Sequence, residues 1–232
     1  SSLFGMNYMT AMIISAVVIV AYTTAGGFFA ASATDFVQSI IMTVAIVFVL
    51  VFSTISAGGI DAVVENAKAL PGYLSLTASY IEDTGKSEPY NLLHIITTLS
   101  WGLGYFGMPH ILLRFMAIED EKKLKLSRRV ASVWVVIAMA MAVLIGIVGR
   151  ALSNTGLVDQ LHGNDTETII VRVAHLLSTY GAFPAIMAGL ILAGILASTM
   201  STADSQLLAA ASSVSENILR EAFHLKISEK KS

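Results

Sequence analysis

A cluster of hydroxyl side chains near the carboxyl end of the chain has the residue types and spacing to bind an ion. Ser198, Ser201 and Thr202 follow the spacing i, i+3 and i+4 in an apolar run that starts at Ile186, so they share one face of a helix. Neutral oxygens on one face suit a dehydrated alkali cation that must be released again, which several carboxylates would hold too tightly. The alternative is that these hydroxyls bond to carbonyls one turn earlier, or pack against another helix.

A second feature is the interruption of another apolar run, residues 92–116, by Gly102, Gly104, Gly107 and Pro109. The glycines match the pattern G-x-G-x-x-G, but a dinucleotide site needs that pattern between a strand and a helix, and here it lies inside an apolar span. Glycine costs roughly 1 kcal/mol and proline roughly 3 kcal/mol in a helix interior. The sequence therefore predicts a broken membrane helix, of the kind that forms the substrate sites of many secondary transporters.

Two aromatic side chains accompany this break. Trp101 and Tyr105 are four residues apart and can face one cavity, where they would offer a ring surface for an apolar group and a phenol for hydrogen bonding. The alternative is a kinked packing helix with aromatic side chains at the membrane interface.

Two acids lie close to apolar runs. Asp35, after Thr34, is either a solvated helix cap at the cytoplasmic side or a carboxylate that attracts a cation near the inner mouth. Asp204, just beyond Thr202, either helps to release the ion or marks the water boundary. Arg114 is expected to extend to the cytoplasmic surface.

The composition indicates an integral membrane protein. The 232 residues are 55% hydrophobic and 13% charged, whereas soluble domains carry roughly 25% charged residues. The net charge of −2 argues against a nucleic-acid partner, and the absence of cysteine excludes disulfides and thiol chemistry. The histidines and acids show neither metal-ligand spacing nor a hydrolytic arrangement, so an enzyme is the least favoured class.

The predicted fold is an all-α multi-pass membrane protein with about five spans, because five runs approach the roughly 20 apolar residues that a spanning helix needs. The predicted spans are 9–29, 36–56, the broken 92–116, 130–148 and 184–210. The segments between and after them are 58–91, 119–129, 151–180 with an amphipathic helix, and 220–232.

The distribution of lysine and arginine predicts the orientation. These residues gather in 119–129 and 220–232, whereas 58–91 is mainly acidic and 151–180 has few of them. Since cytoplasmic loops are enriched in lysine and arginine, 119–129 and the carboxyl tail are expected in the cytoplasm. The amino end, 58–91 and 151–180 are expected outside a plasma (inner) membrane.

Three separated motifs resemble the sodium:solute symporter family. Residues 21–28 together with 34–38 resemble the family signature, and 103–116 and 200–208 are similar to its bacterial sodium/proline symporter branch. The resemblance covers nearly the whole chain. It implies the inverted-repeat fold of the leucine-transporter type and sodium-coupled uptake of a small zwitterionic solute, with L-proline the favoured solute and no cofactor besides the coupling ion.

The resemblance also implies roles for individual residues. The carbonyl of Ser198 and the hydroxyls of Ser201 and Thr202 match a sodium site, and Asp35 matches an acid of the inward sodium path. The positions linked to proline binding are Trp101, Tyr105 and Pro109.

One position departs from the pattern. Met108 stands where many proline symporters carry glutamine, which removes a polar group beside the site. Another amino acid, a carboxylate or a pantothenate-like solute is therefore kept as an alternative, as is a membrane module that does not transport.

The family's opening helix, which supplies further sodium carbonyls, has no counterpart in this sequence. We therefore expect a fragment of a longer transporter that carries half of each site and does not transport alone. Its expected partners are sodium, the solute, the lipid bilayer and the remaining helices.

Overall fold

The computed structural model describes residues 7–81, 84–105 and 107–224 and is mostly helical. The helices are α1 (Tyr8–Ser56), α2 (Ile60–Lys68), α3 (Leu92–Tyr105), α4 (Pro109–Met116), α5 (Glu121–Asn154), α6 (Ile169–Ser178) and α7 (Ala182–Ser212). A 3₁₀ turn, Gly163–Thr168, precedes α6, and a π-helical segment, Ser213–Ala222, continues α7.

Three of the described helices are long and apolar enough to cross a membrane: α1, α5, and α7 together with its continuation to Ala222. Many of their large apolar side chains are exposed, for example Val17, Val136 and Ile186 at 62%, 69% and 69%. Exposed apolar patches of this extent suit contact with lipid. The number of five spans remains a prediction, because α3 and α4 are individually too short to cross.

Helix α1 covers the two predicted spans 9–29 and 36–56 without a loop between them. It bends at Gly27, where φ is 56° and ψ is −150°, a left-handed conformation that favours glycine. The prediction that Thr34 and Asp35 cap a new helix is wrong. Both lie inside α1, and the Thr34 hydroxyl donates to the carbonyls of Ala30 and Ala31 at 2.9 Å.

The run 92–116 is divided between α3 and α4. Gly102 and Gly104 lie inside α3, while Gly107 lies in the interruption and donates its N–H to the Gly104 carbonyl at 3.3 Å. Pro109 begins α4, as expected for a residue that has no N–H to place in the first turn.

Helix α5 begins at Glu121, so most of the predicted loop 119–129 is helical. The Asp120 carboxylate accepts a hydrogen bond from the Lys122 N–H at 2.8 Å and caps the helix. The span predicted to start at residue 130 begins where the apolar part of α5 begins. The earlier residues are rich in lysine and arginine, which are good helix formers but are not apolar, so hydropathy does not include them in the span.

The segment 58–91 contains a hairpin that the all-helical prediction omitted. Strand β1 (Ala78–Ile81) pairs antiparallel with β2 (Lys86–Pro89), and Ala78 lies opposite Pro89. Strands of four residues are too short to show a clear alternation of apolar and polar side chains.

The main hydrophobic core lies where the carboxy-terminal part of α1 meets α5, α6 and α7. Its most buried side chains include Val49, Leu152, Val173, Leu177 and Ile191, each 2% exposed or less. At Gly194 of α7 the helices approach closely, since a Cβ atom there would lie 3.1 Å from Ala45 Cβ and 3.6 Å from Met42 Cα of α1. Small residues commonly permit such contacts between membrane helices.

The substitution Gly194→Val is therefore expected to destabilise the α1–α7 contact by about 1–3 kcal/mol, the usual cost of overpacking. The measurement is the midpoint of thermal unfolding in detergent. Gly189→Val on the same helix is the control, because a Cβ atom at Gly189 meets nothing within 4 Å. Equal effects of the two substitutions would contradict the close contact.

Candidate functional site

The hydroxyl cluster predicted from the sequence lies in the middle of α7. The Thr202 hydroxyl donates to the Ser198 carbonyl at 3.3 Å, which is long for a hydrogen bond between these atoms. Ser198 and Thr202 are exposed and Ser201 is half-buried. The structure therefore brings two of the three predicted ligand oxygens together, the Ser198 carbonyl and the Thr202 hydroxyl. The same contact is the hydrogen bond to a carbonyl one turn earlier that was the alternative expected from the sequence.

A cavity of about 250 Å³ lies beside this cluster, between α1 and α7. Ser198 lines it together with mostly apolar side chains, among them Met42 and Ile195. The hydroxyl face is thus bordered on one side by α1.

Asp204 is fully buried, with 0% of its surface exposed, so it does not mark a water boundary. The Tyr22 hydroxyl donates to its Oδ2 atom at 2.9 Å, and the Ser205 hydroxyl lies 3.2 Å from its Oδ1 atom. Ser205 also donates to the Ser201 carbonyl at 2.9 Å. The buried acid is therefore connected to the hydroxyl cluster one helical turn away.

Asp35 is paired rather than solvated. Arg114 of α4 donates through Nη2 to Asp35 Oδ2 and to the Ser205 hydroxyl. The side chain of Asp35 is 9% exposed and that of Arg114 is 47% exposed. The expectation that Arg114 extends to the cytoplasmic surface stays a prediction, and the structure shows that its guanidinium joins α4 to α1 and α7.

These contacts form one polar network, which consists of Tyr22, Asp35, Arg114, Asp204 and Ser205. We call it the α1–α4–α7 network. It joins residues from both sides of the Gly27 bend to adjacent positions of α7. The bend therefore allows both parts of α1 to contribute polar groups to one site.

Several buried oxygens near the same part of α1 have no hydrogen-bond partner among the described residues. They are Thr23 Oγ1, Asp35 Oδ1 and Gln38 Oε1. Asp35 and Gln38 are three residues apart and share a helical face. A buried polar atom without a partner costs about 1–3 kcal/mol, so these oxygens favour the entry of water or a cation.

The structure does not join the predicted solute residues to the hydroxyl cluster. Trp101 and Tyr105 are 75% and 50% exposed, Pro109 is exposed, and no described residue of α3 is buried. Helix α4 packs against α7, so Arg114 is the residue of this segment that reaches the α1–α4–α7 network.

Sequence reasoning assigned no role in the site to Tyr22, Arg114 or Ser205. The available signal was charge, because an acid and an arginine inside different apolar runs are expected to pair with one another. Ser205 also lies one turn beyond Ser201, and its hydroxyl extends the predicted polar face.

A second cluster lies at the base of the hairpin. The Arg150 guanidinium lies 5.9 Å from the Tyr73 ring centre and 5.4 Å from that of Tyr80, and the two rings meet edge to face at 6.4 Å. Burial raises the pKa of Tyr73, while the nearby Arg150 charge acts in the opposite direction. This cluster anchors the hairpin to α5.

The architecture and the polar network define an integral membrane protein with ionisable groups held between apolar helices. The model of the sodium:solute symporter family matches residues 1–232, and the chain belongs to this family. The family indicated by the sequence motifs is thereby confirmed.

The curated relatives include proteins named as proline transporters. The chain is 37% identical over 231 residues to the high-affinity proline transporter of Bacillus subtilis. The matched residues make up 99% of this chain and 45% of that protein. It is 35% identical over 234 residues to the sodium/proline symporter of Escherichia coli, with 99% and 43% covered. The chain thus spans less than half the length of these relatives. No solved structure matches the chain significantly.

The Tyr22–Asp204 hydrogen bond makes a prediction about stability. Tyr22→Phe removes the donor and leaves a carboxylate oxygen buried, which is expected to lower the free energy of unfolding by about 1–3 kcal/mol. Unfolding in detergent measures this loss of free energy. Tyr8→Phe is the control, because the Tyr8 side chain is 69% exposed. If both variants unfold like the parent, the hydrogen bond does not stabilise the network.

Proposed function

We propose that this chain is part of a symporter that uses the sodium gradient to move a small zwitterionic solute, L-proline, into the cell. The observation that carries the proposal is the position of the hydroxyl cluster of α7, one turn from a buried acidic network. Its relatives in Bacillus subtilis and Escherichia coli are named as a proline transporter and a sodium/proline symporter. Symport by alternating access requires no covalent chemistry.

The proposed sodium site uses the Ser198 carbonyl and the hydroxyls of Ser201 and Thr202. These are neutral oxygens, which hold an alkali cation without trapping it. The 3.3 Å contact between the Ser198 carbonyl and the Thr202 hydroxyl supports their convergence. Asp204, two residues beyond Thr202 on α7, and Asp35, on the facing helix α1, form the proposed sodium pathway.

The proposed solute site uses Trp101, Tyr105 and Pro109 at the interruption between α3 and α4, where Gly102, Gly104 and Gly107 loosen the helix. Unwound backbone at membrane depth occurs where it lines a cavity or is buried in protein. The exposed aromatic rings of α3 are available to such a cavity. An apolar ring and a phenol suit a compact solute with an apolar side and a polar end.

The chain is proposed to act together with further helices, as five spans of an inverted-repeat fold in the plasma membrane. Its amino end would lie outside and its carboxyl tail in the cytoplasm. The exposure of the solute residues and of two sodium ligands supports this, since other helices would be needed to enclose them. We refer to the assembly of this chain with those helices as the complete transporter.

Thr202→Ala in the complete transporter removes one proposed oxygen ligand and is expected to raise the sodium concentration for half-maximal proline uptake by about tenfold, which corresponds to roughly 1.4 kcal/mol. The measurement is uptake of labelled proline by membrane vesicles as the sodium concentration is varied. Ser201→Ala is expected to act in the same direction.

Thr199→Ala is the matched control. Its hydroxyl donates to the Ile195 carbonyl at 3.3 Å, the same type of contact that Thr202 makes, but it is not one of the proposed sodium ligands. If the Thr199 and Thr202 variants behave alike, the hydroxyls only support the helix.

Competition of labelled proline uptake by other amino acids, carboxylates and pantothenate identifies the solute. Strong uptake by the 232-residue chain alone would contradict the need for further helices.

A further inference from the structure

Arg114 connects α4, the second half of the proposed solute segment, to α7, the helix that carries the proposed sodium ligands. Its guanidinium contacts Asp35 of α1 and Ser205 of α7 at the same time, through the same nitrogen. No residue of α4 is buried, so packing alone holds this helix weakly. The ionic contact of Arg114 is therefore a principal attachment of α4 to the rest of the fold.

The same guanidinium lies close to the proposed sodium ligands. Ser205, which it contacts, donates to the Ser201 carbonyl at 2.9 Å. Ser201 and Ser205 are one turn apart, a rise of about 6 Å along the helix. A sodium ion on the hydroxyls of Ser201 and Thr202 would consequently face a second positive charge at short range.

Two positive charges so close together repel one another, and the repulsion strengthens where the further helices of the complete transporter exclude water. Asp35 can compensate either of them, and its Oδ1 atom has no hydrogen-bond partner among the described residues. The negative charge of Asp35 is thus shared between a tethered cation, Arg114, and a cation that arrives at the hydroxyl cluster.

We propose that Arg114 is a displaceable latch: its guanidinium holds α4 against α1 and α7, and sodium entering the hydroxyl cluster drives it out and releases α4. Arg114 is a positioning residue, because it touches neither the solute nor the proposed sodium ligands directly. The inference rests on the proposed function, and it links occupation of the ion site to movement of α4, which begins at the proposed solute residue Pro109.

The first test is the substitution Arg114→Gln in the complete transporter. Glutamine retains a hydrogen-bond donor but removes the charge that opposes sodium, so the sodium concentration for half-maximal proline uptake is expected to fall about tenfold. Arg114→Lys keeps the charge and is expected to stay close to the parent. Arg128→Gln, at an exposed position of α5, is the control for loss of one positive charge.

A purely structural role for Arg114 gives a different result. The Arg114→Gln variant would then reach the membrane in smaller amounts or unfold earlier, while its half-saturating sodium concentration would be unchanged or higher. That result would overturn the latch.

The second test leaves Arg114 in place and so does not depend on the folding of a charge variant. Ala33→Cys on α1 and Met116→Cys on α4, both exposed positions, accept two spin labels in the complete transporter. These 232 residues contribute no competing thiol, and any cysteine of the further helices is first replaced by serine. Electron paramagnetic resonance then measures the distance between them in choline chloride and in sodium chloride. The latch predicts a longer distance in sodium.

The two proposals fail in distinguishable ways. If sodium drives uptake but the label distance is the same in both salts, the latch is wrong and the symport proposal stands. If sodium neither drives uptake nor alters the distance, the symport proposal itself fails.

Discussion

The structure depends on how ionised groups are accommodated between apolar helices. A charge in such surroundings is costly unless a partner and hydrogen bonds compensate it. Asp204 is compensated by Tyr22 and Ser205, and Asp35 by Arg114. The bend at Gly27 lies between Tyr22 and Asp35 on α1, and α4, which begins at Pro109, carries Arg114.

This arrangement combines two kinds of oxygen on α7. Neutral oxygens at Ser198, Ser201 and Thr202 suit an ion that must leave, whereas the carboxyl group of Asp204 lies about one turn away, buried and hydrogen-bonded to Tyr22. An ion attracted by the acids would still be held mainly by weak ligands. Such a combination favours entry and release over tight storage, in keeping with membership of a symporter family.

Much of the helical architecture could be predicted from the sequence, because apolar runs and breakers are local signals. The hydroxyl spacing on α7 and the interruption before Pro109 are of this type. The local signal misled at Thr34 and Asp35, where a good capping pair lies inside a continuous helix whose backbone groups are already bonded. The short strands β1 and β2 gave too little pattern to be recognised.

The polar network itself could not be predicted from spacing alone. The members of each pair are far apart in the chain, Tyr22 from Asp204 and Asp35 from Arg114. Only the folded arrangement shows which acid contacts which partner. The solute residues Trp101 and Tyr105 stay a prediction for a related reason. Their proposed partners lie outside α3, and within the described residues no packing encloses them.

Asp35 and Arg114 compensate one another between the helices. A double-mutant cycle with Asp35→Asn and Arg114→Gln, read as free energies of unfolding in lipid or detergent, measures that interaction directly. The double variant is expected to lose less stability than the two single variants together, with a coupling energy of about 0.5–3 kcal/mol. Additivity of the two single effects to within about 0.3–0.5 kcal/mol would contradict it.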